Sequence, residues 1–273
     1  MVGFRAEPGS DDAGAPPADV GSASFGPPVG LSNLAAALFS ERLPAAVDYA
    51  RWLATDGVVR GLIGPRETDR LWDRHLLNCA VVAELIPPGS SVTDVGAGAG
   101  LPGIVLALAR PDLTVVLVEP SARRTAFLSE VVAALNLSRV SVLRSRAEEV
   151  VATLCPADVV TARALAPLDR LVGWCLPLVR VGGSLLAIKG ASAAAEVEQH
   201  RATVLRLGGG TPVIRSCGAA VLDVATTVIE VRRERGIPPT PGTGRSGASL
   251  GSRAGSRSGG NSRSASVGRP PVR

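Results

Sequence analysis

The spacing of apolar positions changes character near residue 90. Before it, Leu43, Val47, Ala50 and Leu53 recur at helical intervals, and Pro44 suits the first turn of that helix. Leu71, His75, Cys79, Val82 and Ile86 form a second stripe, which predicts a helix over 67–86 ended by Pro87-Pro88-Gly89. Beyond residue 90, short β-branched runs alternate with helical ones. Strands are predicted at 91–95, 114–118, 140–143, 158–161 and 184–188, with helices at 102–109, 121–135, 167–179 and 192–206 between or after them. The last two apolar runs, 211–215 and 221–231, have no helix between them and read as an antiparallel hairpin. The expected architecture is α/β: a doubly wound, mostly parallel sheet with a C-terminal antiparallel hairpin and an N-terminal helical cap.

Composition divides the chain further. Residues 1–30 are rich in Gly, Pro, Ala and Ser without periodicity, and 235–273 are rich in Arg, Gly and Ser; both are expected to be disordered tails. A helical cap at 31–87 and a core at 88–234 remain between them, within the size of one domain. The formal charge is +5, but the last segment holds seven arginines (235, 245, 253, 257, 263, 269 and 273) and no acids, so removing it leaves −2 for residues 1–234. Any nucleic acid must therefore meet the folded part through a local patch, not a global positive field. Lys189 is the only lysine. Cys79, Cys155, Cys175 and Cys217 form no CxxC pair, and His75 and His200 are the only imidazoles, so a buried, reduced set with no metal is expected. No signal-peptide pattern opens the chain and no apolar stretch could span a bilayer, which points to a cytoplasmic location without a membrane partner.

The candidate chemistry lies after the first core strand, in Asp94-Val95-Gly96-Ala97-Gly98-Ala99-Gly100. In open α/β sheets, ligands bind beyond the carboxyl ends of the strands. Glycines there turn the chain sharply and let a ligand approach main-chain N–H groups, and Pro102 sits at the expected start of the next helix. Residues 98–103 also satisfy the dinucleotide pattern G-x-G-x-x-G, with Glu119 about twenty residues on. Either cofactor class uses such an acid to hold ribose hydroxyls, so Glu119 does not discriminate. Three features favour S-adenosylmethionine (SAM): the D-x-G-x-G-x-G run begins on the strand-terminal Asp94, the terminal hairpin suits a methyltransferase sheet, and hydride transfer lacks an evident Tyr-x-x-x-Lys group.

The run Asp94-Val95-Gly96-x-Gly98-x-Gly100-Leu101-Pro102-Gly103-Ile104 resembles the bacterial small-subunit (16S) ribosomal RNA guanine-N7 methyltransferases, the glucose-inhibited division protein B family. Arg74-His75, Arg123-Arg124-x-x-Phe127-Leu128, Ser145-Arg146-Ala147-Glu148-Glu149, Arg163-Ala164, Trp174-Cys175 and Lys189-Gly190 extend the similarity over about residues 40–232. Two places depart from the family, Gly61-Leu62-Ile63 and Asn78-Cys79, both in the cap. The resemblance implies a class I SAM methyltransferase fold, with SAM as cofactor and 16S rRNA or the small ribosomal subunit as partner. The loop itself puts Asp94, Gly98, Gly100 and Glu119 among the cofactor contacts, and the resemblance implies Gly96, Leu101, Ala147, Glu148 and Arg163 as well. Arg163, where the fourth strand ends, is the residue expected to orient the guanine.

Guanine N7 carries an in-plane lone pair and no proton, so no general base is expected and positioning supplies the catalysis. Arg123, Arg124, Arg146, Lys189 and His75 are the candidate substrate contacts, with Arg144 beside them in the basic patch. Each has a plainer reading. Arg163 could pair with Asp158 or Asp169, Glu148 could be a solvated helix-start acid, His75 a packed histidine and Lys189 an edge charge. Trp174 reads as core. A monomer is expected. A nicotinamide-dependent oxidoreductase, a small-molecule SAM methyltransferase and a noncatalytic RNA-binding module remain open at this level.

Overall fold

A computed structural model describes residues 25–236; residues 1–24 and 237–273, which hold most of the two expected tails, lie outside the described residues. Phe25 to Gly30 correct the expected N-terminal boundary. Val29–Leu31 form a 3-10 turn, and Trp72 Nε1 donates to the Phe25 carbonyl at 2.9 Å.

Seven strands form one sheet: β1 (Ser91–Val95), β2 (Thr114–Val118), β3 (Val140–Leu143), β4 (Ala157–Arg163), β5 (Val179–Lys189), β6 (Val213–Cys217) and β7 (Thr226–Arg232). Their spatial order is β3-β2-β1-β4-β5-β7-β6. The first five run parallel; β7 runs antiparallel to both β5 and β6. This is the class I SAM methyltransferase arrangement expected from the sequence. The strand order reverses beside β1, so the crevice between the carboxyl ends of β1 and β4 is where a ligand belongs.

The helices are α1 (Ser32–Phe39), α2 (Leu43–Trp52), α3 (Leu77–Ala80), α4 (Gly103–Ala109), α5 (Ala122–Ala134), α6 (Ala147–Val150), α7 (Leu168–Cys175) and α8 (Ala193–Arg206). Each face of the sheet has its own apolar layer. On one face the N-terminal helices share a core with α4 and α5, through Phe39, Tyr49, Leu53, Leu76, Ile104, Leu117 and Phe127. On the other, Val160, Leu171, Cys175, Leu185, Val204 and Ile229 join α7 and α8 to the strands. The helical cap is thus a layer of the same core. A sheet buried on both faces explains why its central strands read as continuous apolar runs.

The helix predicted over 67–86 is instead four short pieces: a 3-10 segment Pro65–Arg70, a π-helical segment Leu71–Leu76, α3 and a 3-10 segment Val81–Leu85. The predicted stripe is buried, but so are Trp72, Leu76, Leu77 and Ala80. Burial therefore extends beyond a single stripe, and the winding departs from the regular α form along the segment. The single turn α6 was given no range, although the plainer reading of Glu148 as a helix-start acid falls in its first turn. Strand β5 begins five residues earlier than predicted, across Gly182 and Gly183. A Cβ on Gly183 would collide with the Asp158 carbonyl, so glycine permits this close approach. Of the four cysteines expected to be buried, Cys155 is exposed.

Leu117 is fully buried beneath α4, and its side chain is the first atom group that a Cβ on Gly103 would strike. Replacing Leu117 by Ala is expected to cost about 2–5 kcal/mol of unfolding free energy in urea titration. A loss below about 1 kcal/mol would show that this layer is not packed as described.

Candidate active site at the glycine loop

The loop after β1 is shaped by contacts made inside the protein. Gly96 and Ala97 both donate to the Val118 carbonyl, at 2.9 and 3.1 Å, which ties the loop to β2. Gly100 and Leu101 donate back to Ala97, and Ile104 to Gly100. Asp94, with no solvent exposure, accepts the Gly103 N–H at 2.9 Å and the Thr161 hydroxyl at 3.1 Å. Tyr49, reaching over from α2 and also fully buried, donates to the Ala99 carbonyl at 2.8 Å.

These bonds correct several sequence-based assignments. Asp94 was expected among the cofactor ligands, but both its oxygens point inward and hold α4 and β4. Gly100 was expected to face the cofactor, yet a Cβ there would meet Ile104 at 2.5 Å and the Tyr49 hydroxyl at 2.9 Å, so it is a packing glycine. Leu101 leans on the core cluster and does not line the cleft. Gly98 is the exception: at φ +58° a Cβ there would meet only the Gly96 carbonyl oxygen, at 3.8 Å, and its N–H donates at 3.0 Å to Glu119 Oε2. Glu119 Oε1 accepts from the Ser121 N–H at 3.0 Å, and Arg124 Nη1 stands 3.7 Å from Oε2.

Beside this pair lies a cleft of about 120 Å³, lined in part by Gly96, Ala147, Glu148, Leu165 and Trp174. The structure therefore brings Gly96, Ala147 and Glu148 together, with Gly98 and Glu119 in the adjoining loop and strand end. Arg146 also lines the cleft and is exposed. Arg123 is exposed on α5. Glu149 anchors the local backbone by accepting from the Arg146 N–H at 3.0 Å and the Ser145 hydroxyl at 2.8 Å.

Leu165 and Trp174 were missed or misread. Leu165 follows Ala164, which holds the left-handed φ of +50°, and it covers Gly96 closely enough that a Cβ there would meet it at 2.6 Å. Trp174 is half-buried: it packs against the core layer of α7 and α8 and also forms part of the cleft wall, with the Arg170 guanidinium 4.8 Å above its ring. A strand-end loop and a Trp on an amphipathic helix carry no sequence signal that separates these roles from ordinary packing.

Leu165 also borders a second cavity of about 830 Å³, lined in part by Arg74, Arg163, Lys189 and Thr226. Arg163 belongs to this cavity and not to the cofactor cleft, which corrects its expected cofactor contact. Its guanidinium bonds His75 Nδ1 at 2.8 Å, the Arg74 carbonyl at 3.3 Å and Cys79 Sγ at 3.4 Å. Asp158, considered as a partner for it, bonds Arg180 and Ser91 instead. Lys189 donates to the Ala166 carbonyl at 2.6 Å and to Glu196 at 2.8 Å. That ammonium pins the β4–α7 connection at the edge of the cavity it was expected to serve. His75, engaged on both ring nitrogens and 9% exposed, is likewise a packed histidine. Among the described residues no cluster of three or more His, Cys, Asp or Glu side chains could hold a metal, and no helix is long and apolar enough to cross a membrane.

The loop distinguishes between the two cofactor classes. A dinucleotide pyrophosphate needs free N–H groups at the start of the following helix. Here Pro102 has none, and the Gly103 N–H is held by a carboxylate that would repel phosphate. What remains is the Gly98 N–H, held by the Glu119 carboxylate at the loop edge, beside a small cleft with Trp174 in its wall. These fit the α-carboxylate, ribose and adenine of SAM.

Burial raises the Asp94 pKa to about 7, against the two hydrogen bonds that favour the charged form. With the folded pKa above the unfolded one near 4, the folded state binds the extra proton, and stability falls as pH rises from about 4 to 7. Asp94→Asn can keep both hydrogen bonds by donating to Thr161. Its stability relative to the wild type is expected to improve across that window in urea melts at stepped pH. A constant difference would contradict the buried-carboxylate description.

A family model described as GidB, rRNA small subunit methyltransferase G, matches residues 42–223. Relatives carrying the name ribosomal RNA small subunit methyltransferase G include one from Salinispora tropica, 61% identical over 225 residues that cover 80% of this chain and 93% of the relative. A second, from Salinispora arenicola, is 60% identical and covers 84% and 97%. A third, from Thermobifida fusca, is 58% identical and covers 73% and 84%.

Proposed function

Because the chain belongs to the GidB family of small-subunit rRNA methyltransferases, we propose that it transfers the methyl group of SAM to N7 of a guanine in 16S rRNA. It is a SAM-dependent methyltransferase. The observation that carries the finer reading is the meeting of two cavities at Leu165: a cleft of about 120 Å³ at the glycine loop and a polar cavity of about 830 Å³ beyond it.

SAM supplies a methyl group already activated by a positive sulfonium. The protein's task is to hold it in line with an acceptor lone pair, which is catalysis by orientation. Gly98 offers its N–H to the α-carboxylate. Glu119, now on that N–H, is placed to accept from the ribose hydroxyls. Ala147, Glu148 and Trp174 enclose the adenine. On the substrate side, the planar fork of Arg163 suits guanine O6 or a phosphate oxygen. Guanine N7 has no proton to lose, so the cavity needs no base, and its one lysine is already tied to Glu196. Arg123, Arg124, Arg144 and Arg146 supply an outer phosphate-facing patch, whose contacts make RNA binding salt-dependent. We place the protein in the cytoplasm as a monomer acting on rRNA or the assembled small subunit.

The alternatives fit less well. An oxidoreductase would need the pyrophosphate site that Asp94 and Pro102 close, and an enclosed small-molecule pocket is not what the wide second cavity offers.

The deciding experiment is transfer of labelled methyl from SAM to undermethylated small subunits, followed by mapping of the labelled nucleotide. Label at guanine N7 is expected, and Arg163→Ala should lower turnover by about tenfold or more with a smaller change in SAM affinity. Absence of label would leave only binding, and unchanged turnover would remove Arg163 from the site.

Trp174 gives a readout independent of turnover. SAM is expected to change the intrinsic fluorescence, and the change should vanish in Trp174→Phe. Gly98→Asp, which sets a side chain and a charge against the ligand, should abolish SAM binding by calorimetry. Retained micromolar affinity would refute the loop assignment.

A further inference from the structure

Behind Arg163 runs a chain of side chains that methyl transfer as described does not use. Arg163 Nη2 lies 2.8 Å from His75 Nδ1, and His75 Nε2 lies 2.9 Å from Glu67 Oε2. A guanidinium carries only donors, so Nδ1 accepts and the ring proton sits on Nε2, from which it is donated to the carboxylate. Arg74 Nη1 stands 3.5 Å from the other Glu67 oxygen and steadies it. The remaining contacts of Arg163, the Arg74 carbonyl and Cys79 Sγ, are also neutral, because burial pushes the Cys79 thiol up to about 11. Arg163 is thus held by neutral acceptors, and no bonded carboxylate cancels its charge.

We propose that Glu67 and His75 are positioning residues for the methyl transfer: Glu67 fixes the neutral Nε2–H tautomer of His75, and that tautomer holds the Arg163 fork at the wall of the substrate cavity. This rests on the reading of that cavity as the guanine site. The arrangement also sets a pH limit. Protonated His75 would turn a donor and a like charge toward Arg163 and release it. The charged groups facing the ring are Glu67 on the 3-10 segment Pro65–Arg70, Arg163 on β4 and Arg74 on the same π-helical segment, with Cys79 and buried Asp94 beyond Arg163. Burial, then Arg163 and Arg74, hold His75 below its usual 6.5, while Glu67 opposes them. Turnover should therefore decline on the acid side, below pH 6.5.

Methyl-transfer kinetics and imidazole NMR test this together. His75→Phe is expected to lower kcat by about tenfold or more while SAM affinity stays within about twofold. His75→Phe combined with Arg163→Ala should be no slower than Arg163→Ala alone. His75→Gln, whose amide can accept from Arg163 and donate to Glu67, should recover most of the rate and lose the acid limb. Wild-type turnover in His75→Phe, or losses that multiply in the double variant, would overturn the proposal. If the wild-type protein transferred no methyl, the guanine reading would fail, and the NMR would still decide the pairing. The chain has two histidines, and the His75 pKa must rise in Arg163→Ala and fall in Glu67→Gln. Values unmoved in both variants would overturn it.

Discussion

Asp94 stands near the end of the central strand with no exposure to water, one oxygen on the Gly103 N–H and the other on the Thr161 hydroxyl. Those two bonds join β1, β4 and the first residue of α4 at a single point. They set the path of the glycine loop before any ligand arrives. They also close the α4 terminus to phosphate, because its leading N–H is taken and a carboxylate sits behind it. Burial works against this carboxylate, and the two donated hydrogen bonds hold it in place. Tyr49 secures the loop from the opposite side, so the N-terminal helices help to shape the glycine loop.

From that fixed loop, the site divides into two compartments. Gly98 and Glu119 mark the polar edge of a small cleft with Trp174 in its wall, and Arg163 and Lys189 line a wider cavity. Leu165 borders both and covers Gly96. Its position follows from Ala164, which takes a left-handed conformation that non-glycine residues rarely adopt. Backbone strain of this kind is held only where surroundings enforce it, and here it aims the side chain at the junction of the compartments.

Much of this was legible in the sequence. Alternation of β-branched and helical runs gave the sheet class, and the missing helix after residue 206 gave the antiparallel end. The loop, its strand and its acid were found in the right order, and Ala147 and Glu148 do share a cleft with Gly96. What failed was direction. Asp94, Gly100 and Leu101 lie in the motif but face inward, because a motif fixes spacing along the chain and not which side of the backbone meets the ligand. Lys189 and His75 looked available because their partners, Glu196 and Glu67, are brought to them by folding. The 67–86 segment kept its buried stripe and lost its regular winding, since periodicity reports which residues are buried and not how the hydrogen bonds run. Leu165 and Trp174 were illegible for the same reason: only the tertiary arrangement turns them to the cleft.

We propose that the Asp94-pinned loop takes an adenosyl sulfonium and refuses a pyrophosphate. A crystal structure of the protein grown with SAM and, separately, with NADH tests it most directly. The expected result is SAM density with its carboxylate on the Gly98 N–H, the Glu119 side chain moved onto the ribose, and no ordered dinucleotide. A pyrophosphate seated at the start of α4, or an empty cleft at saturating SAM, would contradict it.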